Sequence, residues 1–235
     1  MNPKILVIVP SFNEAASIRH VVEEARTVFP CATLLVINDN SADNTEEEAL
    51  KSGALVATLP SNLGIGGAMQ TGYQIALEED YDIAVQLDGD GQHDPAFLKT
   101  LIAPILENKL DFCIGSRFLD PSSPSFRSTW LRRIGILFFC RLLGLLTGLY
   151  LTDPTSGFRA VGKKLIRIFA SYYPVDFPEP ESIQAAKRLG ARIGEVPVLM
   201  RERQGGISSI RYLRTFYFMI KVTLAILIDT LKKKN

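Results

Sequence analysis

Asp88, Asp90 and Gln92 alternate along Asp88-Gly89-Asp90-Gly91-Gln92, directly after the apolar run Ile83–Leu87. Two carboxylates two residues apart, followed by an amide oxygen two further on, supply hard oxygen ligands. The intervening glycines let the chain turn tightly enough for these groups to converge on one ion. Mg²⁺ or Mn²⁺ is the natural occupant, because such ions are usually shared between carboxylates and substrate phosphates. An EF-hand loop starting at Asp88 would need Gly at position 93 and Glu at position 99, where His93 and Lys99 stand. A structural Asp-Gly turn is the alternative without chemistry. His93 reads as a loop residue standing behind the ligands rather than as a ligand itself.

Such a loop must be held by a frame, and the first 117 residues alternate strand and helix patterns. Ile5–Val9, Thr33–Ile37, Leu55–Leu59, Ile83–Leu87 and Phe112–Ile114 are short apolar runs of the kind buried in a largely parallel sheet. Ile18, Val21, Val22, Ala25, Val28 and Phe29 share one helical stripe, and Gly67–Leu77 and Pro95–Leu106 read as further helices. This alternation predicts a Rossmann-like α/β layer, in which ligands gather beyond the carboxyl ends of the strands. The glycines of Leu63-Gly64-Ile65-Gly66-Gly67-Ala68 do not make a dinucleotide fingerprint. Met69 stands where the third glycine is required, and the stretch does not follow the first strand. They serve close approach to a nucleotide or helix packing.

After Arg117 the pattern changes. Asp120-Pro-Ser-Ser-Pro-Ser is a loop by composition, 181–189 looks helical and 192–200 looks like a strand. Trp130 to Leu151 and Tyr212 to Leu231 are long enough to span a bilayer, but Arg132, Arg133, Arg141, Arg214 and Lys221 interrupt them. Helices lying in the membrane interface fit this pattern better than spans, and core or dimer helices are the alternative. Residues 1–120 carry 7 Lys and Arg against 18 Asp and Glu, while the remainder carries 19 against 7. An acidic half suits metal chemistry, and a basic half interleaved with apolar runs suits phosphate or anionic lipid. No nucleic-acid motif is present. Three scattered cysteines and the absence of a signal-peptide pattern point to a reduced, cytoplasmic setting.

Val9-Pro10-Ser11-Phe12-Asn13-Glu14, Asn38-Asp39-Asn40-Ser41 with Asp43 and Thr45, Asn62-Leu63-Gly64 and Asp88-Gly89-Asp90-Gly91-Gln92-His93 occur in order. They are followed by Gly115-Ser116-Arg117, Asp153-Pro154-Thr155-Ser156-Gly157-Phe158-Arg159 and Gly194-Glu195-Val196-Pro197. Together they resemble glycosyltransferase family 2, in particular its polyprenyl-phosphate branch, similar to dolichol-phosphate mannose synthases. The resemblance covers roughly residues 5 to 210. It implies a GT-A catalytic domain over 1–210, followed by an amphipathic or interfacial helix over 211–235. It also implies inversion at the anomeric carbon, with transfer from a nucleoside-diphosphate sugar to a polyprenyl phosphate or lipid-linked acceptor at the cytoplasmic membrane face.

Carried over by position, Pro10, Asn13, Glu14, Asp39, Gly64, Asp88 and Ser208 would bind the donor. Asp88, Asp90 and Gln92 would hold the metal. Arg117, with Arg132 or Arg133, would meet the acceptor phosphate, and Glu181 would lie on the acceptor side. Arg203, Gly206 and Ser208 match a loop that closes over the diphosphate. Asp90, Arg117, Glu181 and Arg203 form the implied catalytic set. Asn38 and Asn40 depart from the family's more usual Asp and Gly, and Ser209 stands where many relatives carry Lys. The chain also lacks the transmembrane helices that some relatives append, so lipid attachment falls to the interfacial stretches or to a small membrane-protein partner.

Charge dictates the chemistry. Negative charge grows on the leaving diphosphate, and a metal with Arg203 would stabilise it most in the transition state. An ionised polyprenyl phosphate needs cations rather than a strong base. A hydroxyl on a lipid-linked saccharide, the alternative acceptor, needs a carboxylate to take its proton, with Asp153, Glu179 and Glu181 as candidates. Arg159 and Glu179 also have plain readings, as a salt-bridge partner and a helix start. A catalytically silent scaffold is the remaining rival, and it has no need of the acidic triplet.

Overall fold

The computed structural model describes residues 3–120, 130–175, 178–201, 219–226 and 228. Seven strands form one sheet: β1 Ile5–Ser11, β2 Thr33–Asn38, β3 Leu55–Thr58, β4 Ile83–Gln86, β5 Phe112–Ser116, β6 Arg159–Gly162 and β7 Ile193–Pro197, in the order β3-β2-β1-β4-β6-β5-β7. All pairings are parallel except those of β6, which runs against β4 and β5. The helices are α1 Ile18–Val28, α2 Thr45–Lys51, α3 Gly64–Glu78, α4 Leu98–Leu106 (preceded by a 3-10 turn, Pro95–Phe97), α5 Trp130–Thr147, α6 Lys163–Ser171 and α7 Pro178–Arg188. The α/β layer expected from the strand–helix alternation, with helices on both sheet faces, is the one observed.

The period-two geometry of β1 splits its side chains between two cores. Val7 and Val9 pack with Ile18, Val21, Val22 and Ala25 of α1 and with Leu98, Leu101 and Ile102 of α4. Leu6 and Ile8 face the other side, with Met69 and Tyr73 of α3 and with Leu165, Ile166 and Phe169 of α6. There the rings of Tyr73, Phe169 and Tyr173 meet edge-on or tilted at 5.1–5.3 Å, a geometry that suits aromatic quadrupoles. The same core takes in Phe139 and Leu143 of α5 and, from the C-terminal helical segment 219–226, Val222 and Ile226.

In their described parts both late apolar stretches therefore bury one face and expose another. On α5, Ile134, Leu137, Phe138 and Leu145 stay exposed, and on the last segment Ile220, Leu224 and Ile228 do. Among the described residues no helix is long and apolar enough to cross a membrane. The expected boundary between 210 and 211 falls outside the described residues.

Candidate active site

Because β1 lies between β2 and β4, the loops after these strands share one edge of the sheet. Glu14, Asp39, Asp88 and Asp90 therefore come from three different loops to one rim. Asp39 is buried, and its carboxylate accepts hydrogen bonds from the backbone N–H of Leu63 (2.7 Å) and Gly64 (2.9 Å) at the start of α3. Asn13, with φ of 56°, receives the Ala42 N–H on its side-chain oxygen (2.9 Å), and its own N–H donates to Ser41 (3.0 Å). Asn40 also has a positive φ, 57°. Asn tolerates this left-handed conformation better than most residues. Ser17, which sequence reasoning missed, ties the first loop to the acidic triplet: its hydroxyl lies 2.8 Å from the Gly89 carbonyl and 3.1 Å from the Glu14 carboxylate.

The triplet itself is tightly organised. Asp88 accepts from the Gln86 side-chain amide (3.0 Å), and Asp90 accepts from the Gln92 N–H (3.0 Å). Gly91 has a φ of 77°, a conformation that glycine adopts without strain. From the opposite loop Gly157 faces Asp88, and a Cβ there would stand 3.2 and 3.4 Å from its two carboxylate oxygens. That missing side chain keeps space open beside the carboxylate. Among the described residues no three His, Cys, Asp or Glu side chains gather as a self-contained metal cage. Two carboxylates and an amide instead suit a hard divalent ion that completes its shell with substrate oxygens.

Arg117 sits at the end of β5, buried against Asp153. Its guanidinium donates to both carboxylate oxygens (2.5 and 2.7 Å) and to Thr155 (3.1 Å). Glu195 of β7 secures the same loop, accepting from the backbone N–H groups of Thr152 (2.7 Å) and Asp153 (2.8 Å). Arg133 of α5 is exposed, and its guanidinium lies 3.9 Å from the Phe118 ring centroid, beside Arg117. Arg159 is fully buried and donates to the carbonyls of Ser156 (2.9 Å) and Glu179 (3.0 Å) and to the Ser182 hydroxyl (2.8 Å). It thus joins the 153–159 loop to the first turn of α7.

Glu179, in that turn, lies within electrostatic reach of Asp88 and Arg117. Burial pushes its carboxyl above the usual range and Asp88 adds to this, while Arg159 and Arg117 oppose it. Glu181, two residues on, instead lines a cavity of about 240 Å³ with Tyr172, Pro174, Ala225 and Ile226. Glu179 thus feels the charge of Asp88, whereas Glu181 faces the C-terminal segment.

A model of the glycosyl transferase family 2 matches residues 6–168. The chain belongs to glycosyltransferase family 2. Among its relatives within and around that family, a UDP-N-acetylglucosamine–dolichyl-phosphate N-acetylglucosaminyltransferase of Methanococcus voltae is 31% identical over 83% of this chain and 84% of its own. An undecaprenyl-phosphate mannosyltransferase of Micrococcus luteus is 31% identical over 88% of this chain and 87% of its own. In three dimensions the chain is similar to glucosyl-3-phosphoglycerate synthase of Mycobacterium tuberculosis, crystallised with Mn²⁺, UDP and phosphoglyceric acid. The TM-score is 0.75 at 22% identity, covering 99% of this chain and 80% of that one. The fold is accordingly the GT-A fold, and the chain is an enzyme of the glycosyltransferase class.

Within this family frame, Pro10, Asn13, Glu14, Asp39, Gly64, Asp88, Asp90 and Gln92 line up along the rim formed by the β1, β2, β3 and β4 loops. Arg203, Gly206 and Ser208, and the side chain of Arg132, lie outside the described residues. The contacts of Ser17 with Gly89, of Glu195 with Thr152 and of Arg117 with Asp153 join residues 36 to 72 positions apart, which no local motif discloses.

Proposed function

We propose that this enzyme moves a sugar from a nucleoside-diphosphate donor to a polyprenyl phosphate at the cytoplasmic face of a membrane. The observation that carries the acceptor is the outer face of α5. Its exposed Ile134, Leu137, Phe138 and Leu145 are accompanied by Arg133 and Arg141, with no Asp or Glu anywhere in the helix. Such a face suits an anionic lipid interface, and Arg133 anchors its first turn beside Phe118, at the site's edge. The names of the Methanococcus voltae and Micrococcus luteus relatives, which specify dolichyl and undecaprenyl phosphate, support the same acceptor class. In this reading residues 1–210 are the catalytic domain, and 211–235 add a second interfacial helix. A small membrane protein could share the docking.

Asp88, Asp90 and Gln92 would hold Mg²⁺ or Mn²⁺, which offsets the charge growing on the leaving diphosphate. The loops bearing Pro10, Asn13, Glu14, Asp39 and Gly64 would seat the nucleotide, and Arg203 and Ser208 would close on the diphosphate. Arg117 is saturated enough by Asp153 and Thr155 that its part is to fix the loop ahead of Gly157. The exposed Arg133, with Arg132, is then the cation for the acceptor phosphate. An ionised phosphate attacks without surrendering a proton, so no base is required.

A hydroxyl acceptor is the second reading, favoured by the place of Glu179: Arg159 ties its backbone to the loop whose Gly157 faces Asp88, and its carboxyl is raised. Asp153 is engaged with Arg117 and Glu181 lines the other cavity, so Glu179 would be the base. The discriminating experiment is steady-state kinetics of Arg133→Ala. A hydrogen bond to a charged group contributes about 1.5–3 kcal/mol, so the KM for a short-chain polyprenyl phosphate should rise roughly tenfold or more, with the nucleotide-sugar KM nearly unchanged. An unaltered acceptor KM would remove Arg133 from the acceptor site.

A further inference from the structure

His93 follows the acidic triplet but is spent on Asp88. The Asp88 backbone N–H donates to His93 Nδ1 at 3.0 Å. An imidazole nitrogen that accepts carries no proton, so the ring hydrogen sits on Nε2. Nε2 stands 3.5 Å from the Asp88 carboxylate oxygen Oδ2, a close approach rather than a hydrogen bond. One ring therefore faces both the main chain and the side chain of the same aspartate.

The ring has little freedom of its own. It is 3% exposed and stacks on Phe158, with centroids 4.8 Å apart and planes 13° from parallel. Phe158 belongs to the same loop as Gly157, which leaves room for the Asp88 carboxylate. On the other side the backbone of His93 bridges to Met200, and the Gln92 carbonyl accepts the Arg201 N–H at 2.8 Å. With Gln86 donating to Oδ1 at 3.0 Å, Asp88 is held at its backbone N–H and at one carboxylate oxygen.

We infer that His93 is a positioning residue for the divalent-cation site: held by Phe158, it fixes the backbone of Asp88, and through it the direction of the carboxylate, without touching the ion. The inference rests on the reading of Asp88, Asp90 and Gln92 as the metal-binding set. Groups that orient a metal ligand typically change affinity by about 10–100-fold when removed.

The test is Mn²⁺ binding followed by electron paramagnetic resonance in the presence of UDP, with the full-length wild type, His93→Ala, His93→Asn and Asp88→Asn. Near-ultraviolet circular dichroism reports folding. His93→Ala should weaken Mn²⁺ binding by about 10-fold or more. His93→Asn, whose side-chain oxygen can take the place of Nδ1, should recover most of that loss, which a purely space-filling role would not allow. Wild-type affinity in folded His93→Ala, or equal losses in the Ala and Asn variants, overturns the positioning role. If Asp88→Asn abolishes binding while His93→Ala does not, the metal reading stands and this inference alone falls. If wild-type protein binds no Mn²⁺ with UDP, both fall together.

Discussion

Replacing Arg117 with Met removes one half of a buried ion pair and leaves the other half in place. The Arg117 side chain is 3% exposed and that of Asp153 is completely enclosed. Asp153 would keep the Thr155 hydroxyl (3.2 Å) and the Arg117 backbone N–H (3.2 Å) but lose both guanidinium contacts. Stranding one partner of a buried pair costs about 3–5 kcal/mol. For a domain of this size that corresponds to a fall in Tm of roughly 6–20 °C. Neutralising the stranded carboxylate in the double variant Arg117→Met/Asp153→Asn should return at least half of the loss, because the cost lies in the uncompensated charge. Urea unfolding of the wild type, both single variants and the double variant closes the cycle. An Arg117→Met protein as stable as wild type, with its defect confined to the acceptor KM, would refute this reasoning. It would return Arg117 to the acceptor phosphate.

Two further outcomes follow from packing and burial. A Cβ on Gly66 would stand 2.1 Å from the Val175 carbonyl oxygen and 2.2 Å from that of Pro174, so Gly66→Ala must displace backbone, at about 3 kcal/mol and roughly 6–12 °C in Tm; a thermal scan unchanged within error would show that α3 does not pack there as described. Glu179 has a folded pKa above its unfolded one, so the native state holds its proton more tightly and its own contribution to stability falls as pH rises from the ordinary glutamate range through the raised folded value. The stability gained by Glu179→Gln should therefore grow across that window and level off above it, whereas equal gains at pH 4 and pH 8 would argue against a half-buried, destabilised carboxylate.

The parts of this molecule that were legible in sequence are those whose signal is local. The buried runs of β1, β2 and β4 announce themselves because a strand covered on both faces must be apolar throughout. The acidic loop follows β4 directly, so its chemistry and its place at the sheet edge are read together. β6 was missed: it is only four residues long and begins with Arg159, whose charge is satisfied by carbonyls from elsewhere in the chain. α2 and α6 are seven and nine residues long, and neither was assigned. For α6 the pattern was present, since Leu165, Ile166, Phe169 and Ala170 form its buried face. The family resemblance placed Arg117 and Glu181 in the candidate set, but partnership decides what they can do. Asp153 occupies the first, and the second faces a different cavity from Glu179, its neighbour two positions earlier.

The central claim is the acceptor, and one measurement addresses it directly. Purified protein would be incubated with a panel of nucleotide sugars, Mg²⁺ or Mn²⁺, and either a short-chain polyprenyl phosphate or phosphoglycerate, with products identified by mass spectrometry. The expected result is a glycosylated lipid phosphate that requires metal and disappears with Asp90→Ala. Glycosylated phosphoglycerate, or bound nucleotide sugar with no lipid product in any combination, would contradict the account.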